Sequence, residues 1–184
     1  MNIIYSGDSM KKIIIIVAII MFITTTNNNK TEEIIIPNEA IRVRIIAHTN
    51  EKQDIQAKES LKIDLEQLIY NLLKDVKDIE KARNIIKENI DNIDIEIRNN
   101  FQKQKYNQNY NINYGLNYFP EKKFKGIKYK EGYYESLVVT IGKGEGDNWW
   151  CVLYPPLCML ESEDIKDVEY KSFVSELLNK YLNR

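Results

Sequence analysis

The chain has 184 residues, 43% of them hydrophobic and 29% charged, which is enough to bury one core and short for several domains. With 26 Lys and Arg against 27 Asp and Glu, the net charge is −1. No field of one sign is available to hold a nucleic-acid backbone, so nucleic acid is not an expected partner.

Lys11 and Lys12 precede an unbroken apolar run over residues 13–23, the order of charge and apolar stretch that export machinery reads. At about 1.5 Å per residue the run reaches only about 16 Å, roughly half of a hydrocarbon core. Residues 1–26 are therefore expected to be a signal peptide. Because no A-x-A site follows, they serve instead as an N-terminal membrane anchor if left uncleaved. The residues before Met10 fit neither part, which makes Met10 an alternative start. Residues 27–39 read as a polar linker with one apolar patch, Ile34, Ile35 and Ile36, ended by Pro37.

The folded domain is expected over residues 40–161. Ile41, Val43, Ile45 and Ala47 alternate with Arg42, Arg44, Ile46 and His48, the period of a strand with one buried face. Leu61, Leu65, Leu68, Ile69, Leu72, Leu73 and Val76 mark an amphipathic helix over about 54–76. After Asp78, a plausible N-cap, the stripe Ile79, Ala82, Ile85, Ile86, Ile90, Ile93 and Ile97 predicts a second helix, packed antiparallel on the first. The Asn, Gln and Tyr-rich stretch 99–113 reads as a mobile loop. Strands follow over 110–119, 133–141 and 148–154, with glycines between them. Residues 162–184 form a polar tail in which Phe173, Val174, Leu177, Leu178, Tyr181 and Leu182 are spaced for a short helix. The fold class is α+β: one small domain with two consecutive amphipathic helices packed on a mainly antiparallel sheet.

Catalytic and metal chemistry are addressed first by exclusion. His48 is the single histidine beside two cysteines, and neither H-E-x-x-H nor C-x-x-C is present, so no metal or other cofactor is expected. No G-x-S-x-G elbow or D-T-G segment is visible. Gly142, Gly144 and Gly146 lack the spacing of a phosphate loop, and Glu145 and Asp147 would repel phosphate, so they read as a hairpin connection.

Trp149, Cys151 and Leu153 should line one face of the last strand, with Trp150, Val152 and Tyr154 on the other. Both faces are apolar. Either the strand is covered on both sides, or one tryptophan belongs to the core and the other awaits a partner. Trp149, Trp150 and Tyr154, with Glu145 and Asp147 of the glycine segment, are the candidate partner contacts. Cys151 and Cys158 are free to pair in an oxidising compartment, but Pro155 and Pro156 between them favour extended chain, so a disulfide and two buried thiols both stay open.

The run over residues 132–158, with Gly142-Lys143-Gly144-Glu145-Gly146-Asp147-Asn148-Trp149-Trp150-Cys151-Val152-Leu153-Tyr154-Pro155-Pro156-Leu157-Cys158 at its centre, closely resembles the hallmark segment of the stage II sporulation protein R family. Residues 41–47, Asp54, Lys58, Phe119 and Pro120 resemble it too. The resemblance implies a protein made in the forespore of an endospore-forming bacterium and exported between the two septal membranes. There it would activate a membrane-embedded aspartic protease of the mother cell, which then cuts a sigma-factor precursor. No catalytic residue and no small-molecule substrate come with it. The alternatives are a secreted cell-envelope hydrolase using Glu135, Glu145 and Asp147 as paired carboxylates, and a structural component of the septum.

Overall fold

The structure is a computed structural model that describes residues 11–12, 14–17, 34–36, 38–124, 127–158, 175–176 and 179–180. The chain divides after Glu33 into two units. In the first, residues 11, 12 and 14–17 are helical, with Ile14, Ile15, Ile16 and Val17 exposed. The rest of the expected export segment lies outside the described residues. Among the described residues no helix is long and apolar enough to cross a membrane.

In the second unit the chain runs β1 (Ile34–Ile35), β2 (Ile41–Ile46), α1 (Lys52–Leu73), α2 (Ile79–Glu88), α3 (Ile90–Gln104), β3 (Tyr110–Phe119), β4 (Lys122–Phe124), β5 (Ile127–Tyr129), β6 (Gly132–Ile141) and β7 (Asn148–Tyr154). Four strands form one sheet in the order β3-β6-β2-β7. β3 and β7 run antiparallel to their neighbours, while β2 and β6 at the centre are parallel. Ile41, Val43 and Ile45 of β2, Leu137, Val139 and Ile141 of β6, and Cys151 and Leu153 of β7 form one core with Leu61, Leu65 and Ile69 of α1, Ala82 and Ile86 of α2, and Ile93 and Ile97 of α3. The α+β architecture is thus a mixed sheet with helices on one face.

The opposite face is covered around β2, while Asn111 and Asn113 of β3 stay exposed there. β1, β5 and β4 form a separate three-stranded sheet, so the apolar patch expected to be linker supplies a strand, and Ile36 after it is buried. Arg42, on the face of β2 expected to meet solvent, is 2% exposed. Its guanidinium lies 3.4 Å from the Tyr134 ring centroid, with Phe119 and Tyr129 also within 6 Å. Aromatic faces supply the negative potential that a carboxylate would otherwise provide.

Two further expectations are corrected. The stripe read as one helix over 79–97 is broken at Asn89, whose backbone leaves helical geometry (φ −106°, ψ 13°) and whose side-chain amide donates to the Ile85 carbonyl at 2.8 Å. An asparagine that offers the backbone its own hydrogen bond is a natural place to end a helix. The polar stretch 99–113 is also ordered. α3 continues to Gln104 and β3 begins at Tyr110. Its polar groups meet helix partners: buried Asn100 donates to Ser60 Oγ (3.0 Å) and Asp64 (2.8 Å), and the Tyr106 hydroxyl donates to Asp54 (2.6 Å). Phe101 packs edge-on against Tyr106 and Tyr110. Of the tail, residues 175–176 and 179–180 are helical; the apolar positions that suggested a helix there lie outside the described residues.

Candidate partner-binding cleft

The segment 142–147 is not a hairpin. It joins β6 to β7, and β2 lies between them, so the connection must pass over the end of β2. Close approach there is what the glycines permit. Gly142 has φ +52°, and a Cβ on it would collide with the His48 ring. Three backbone donors hold the crossing: Glu145 N–H to the His48 carbonyl and Gly146 N–H to the Ala47 carbonyl, both at 3.0 Å, and Asp147 N–H to Asn50 Oδ1 at 2.7 Å. His48 Nδ1 also accepts from Lys143 N–H at 2.9 Å, so the single histidine anchors the loop.

The same junction is tied to α1 by Asp54 in its first turn. The carboxylate accepts from Thr49 N–H (3.1 Å), the Thr49 hydroxyl and the Tyr106 hydroxyl. Burial by itself would raise the Asp54 carboxyl, but the hydrogen bonds from Thr49 and Tyr106, with the nearby His48, outweigh it and hold the carboxyl below its ordinary value. A depressed folded-state pKa stabilises the fold above the unfolded pKa and ceases to do so as pH falls through the folded value. Acid unfolding is therefore expected to steepen below about pH 4. The Asp54→Asn variant should be less stable at pH 7, and that deficit should shrink as the pH is lowered from 4 to 2. Denaturant midpoints across that range measure it.

β7 emerges from the crossing as an edge strand. Trp149 and Trp150 point to opposite faces, as alternation requires. Trp149 packs against the helix-side core and carries Lys62 Nζ at 5.4 Å from its ring centroid. Trp150 packs edge-on against Phe119 at 5.4 Å, with Arg44 and Lys122 Nζ over its ring at 5.6 and 4.9 Å. Both are half-buried, so the expected division into one core tryptophan and one contact tryptophan does not hold. Instead they line a single cleft of about 240 Å³ with Glu59, Lys62, Lys122, Tyr129 and Asn148. Each indole N–H is buried without a hydrogen-bond partner among the described residues. Glu59 is engaged by Lys58 at 3.2 Å.

Of the other candidate contacts, Glu145 and Asp147 are exposed on the crossing loop. Tyr154 is corrected: it is fully buried and belongs to the core, so it offers no surface. Glu59, Lys62, Lys122 and Tyr129 had no sequence signal. They reach the cleft from α1, β4 and β5 only through the fold.

Beyond β7 the chain turns back, with Tyr154–Pro155 cis and Leu157 N–H donating to the Val152 carbonyl at 3.1 Å. Cys151 and Cys158 are joined as a disulfide with Cα atoms 5.5 Å apart, within the range a bridge requires. Loop-closure entropy for so short a ring gives about 2.5 kcal/mol of stabilisation. The protein produced in an oxidising compartment and alkylated without reduction is expected to show no blocked thiol by mass spectrometry, and Cys151→Ser should lower stability by about that amount. Two blocked thiols would show that the bridge is not formed.

The segment 132–158 that builds this edge falls within residues 37–164, which match the family model described as Stage II sporulation protein R. The chain belongs to the stage II sporulation protein R family. It is 34% identical over 154 residues to the Stage II sporulation protein R of Bacillus subtilis (strain 168), covering 82% of this chain and 69% of that protein. No solved structure matches it. Within this family member, Glu135 does not join the other two carboxylates considered for hydrolysis. It accepts from Tyr114 and Arg83, both at 2.7 Å, on the helix side of the sheet. Among the described residues no group of three His, Cys, Asp or Glu side chains is placed to hold a metal ion.

Proposed function

We propose that this protein acts in sporulation as an exported forespore signal, a non-catalytic ligand that activates the membrane-embedded aspartic protease of the mother-cell septum and so triggers processing of a sigma-factor precursor. The observation that carries this reading is the coincidence of the family segment with the tryptophan cleft at the sheet edge. The residues that most closely resemble the family build a surface suited to contact. Tryptophans in a partly desolvated cleft dominate binding energetics, and Glu135, whose carboxylate is tied down by Arg83 and Tyr114, is poorly placed for hydrolysis.

Export is the first requirement. A reporter active only outside the cytoplasm, fused after Arg184, should be active, and silence from it while a cytoplasmic reporter works would overturn the reading. Capture is the second. A photo-crosslinking residue at Asn148, exposed at the rim of the cleft, should trap the septal protease in sporulating cells. Trapping of envelope glycans or of other copies of the chain, with no protease, would favour the hydrolase or the structural septal component instead.

A further inference from the structure

β3 forms the edge of the sheet opposite β7. Gly142 N–H donates to the Asn109 carbonyl at 2.7 Å, and from there β3 pairs antiparallel with β6 along its whole length without a register shift. Asn111, Asn113, Gly115 and Asn117, at a period of two from Asn109, therefore turn their backbone groups toward β6. Tyr110, Ile112, Tyr114, Leu116 and Tyr118 turn theirs to the open side. Among the described residues no hydrogen bond reaches those groups. Exposed edges are ordinarily guarded by charge, proline or a bulge. β3 has none of the three.

Two features of the strand select its occupant. The first is a sequence that reads nearly the same from either end: about Tyr114 as centre, Asn113 answers Gly115, Ile112 answers Leu116, Asn111 answers Asn117 and Tyr110 answers Tyr118. A two-fold axis between antiparallel strands sets each residue opposite the one equally far beyond the centre, so a contact between identical surfaces needs this self-complementarity. Tyrosine then meets tyrosine and isoleucine meets leucine, pairs that stabilise neighbouring strands. The second is the uneven cover of the helix-side face of β3. Tyr110, Ile112 and Tyr114 pack against the core, whereas Leu116 is 74% and Tyr118 48% exposed, with the 72% exposed Tyr133 of β6 edge-on to Tyr118 at 5.6 Å. The same axis lays the bare end of one copy beside the helix-covered end of the other. We propose that β3 is the interface of a two-fold dimer, in which two copies pair antiparallel about Tyr114 and their sheets join in the order β7-β2-β6-β3-β3-β6-β2-β7. Each β7 cleft stays open at a far end of the joined sheet. This goes beyond the proposed function and does not rest on it.

The full chain, exported and extracted in mild detergent, should sediment as a concentration-dependent dimer. Leu116→Lys, at a residue exposed in the single chain, should leave the melting temperature nearly unchanged and weaken dimerisation by about tenfold or more, because the charge enters the interface twice. Ile63→Lys, at an exposed apolar residue of α1, should leave the dimer intact. Disulfide formation between introduced cysteines reads the register. A mixture of Asn111→Cys and Asn117→Cys chains should form a linked heterodimer, since these positions lie opposite each other. Asn111→Cys alone should not link, because its two copies stand about six residues, or roughly 20 Å, apart along the strands. A monomer at every concentration, a dimer untouched by Leu116→Lys, or Asn111→Cys chains that link to one another as readily as to Asn117→Cys would overturn the inference. So would dimerisation that appears only when residues 159–184 are removed, since the occupant of the edge would then be the chain's own tail. A monomer that still traps the septal protease would overturn the dimer alone and leave the proposed function standing.

Discussion

Replacing Gly146 by alanine is expected to lower the melting temperature of the domain by roughly 6 to 12 °C, equivalent to about 3 kcal/mol for a chain of this size. A Cβ at this position would fall on the backbone carbonyl of Thr49 and lie 2.8 Å from the Ala47 Cβ. Neither neighbour can swing aside as a flexible side chain would. Relief requires lifting the crossing loop, which breaks the bonds from Gly146 N–H to Ala47 and from Asp147 N–H to Asn50. β7 then loses its register on β2. Gly115→Ala is the control, since its Cβ would meet nothing nearer than Asn113 Oδ1 at 3.9 Å, and it should be close to neutral. Thermal melts of the two variants decide the point. A Gly146→Ala protein that melts like the parent would mean that the crossing is not packed as described.

The largest effect on signalling is expected from the tryptophans. Trp150→Ala removes the edge contact with Phe119 and one wall of the cleft, and should leave a folded, exported protein. Trp149→Ala also opens the helix-side core and should cost about 2 kcal/mol of stability, less than a fully buried tryptophan because the residue is half-exposed. Against a total of about 5 to 15 kcal/mol, that variant still folds. Both should lose partner activation by about thirtyfold or more, the effect of removing a hot-spot side chain worth about 2 kcal/mol. Activation measured at equal exported protein levels separates this from simple loss of fold. Two folded variants with full activity would remove the cleft from the mechanism.

Much of the architecture was legible because hydrophobic period survives in the sequence. The stripe of α1, the strands β3, β6 and β7, and the alternation in β2 all declare their geometry locally. What was hidden is what depends on pairing across the chain. Nothing local indicates that β2 inserts between β6 and β7, so a crossing loop read as a hairpin. Arg42 read as a solvent-facing residue because the cage of Phe119, Tyr129 and Tyr134 comes from distant segments. The stretch 99–113 read as mobile because its Asn and Tyr side chains look hydrophilic until Asp54, Asp64 and Asp94 are brought opposite them. The cleft was half visible. Trp149 and Trp150 identified themselves by type, but that they wall one site, and that Lys62 and Lys122 complete it, follows from the edge position of β7.

The central claim is that this chain, delivered outside the cytoplasm, switches on the septal protease. Reconstitution in a bacterium that does not sporulate tests it most directly: the protease and its sigma-factor precursor are produced together, with the chain either exported or kept in the cytoplasm by deletion of residues 1–26. The account predicts that the precursor is cleaved only when the exported chain is present. Cleavage without the chain, or equal cleavage when the chain is confined to the cytoplasm, would contradict it.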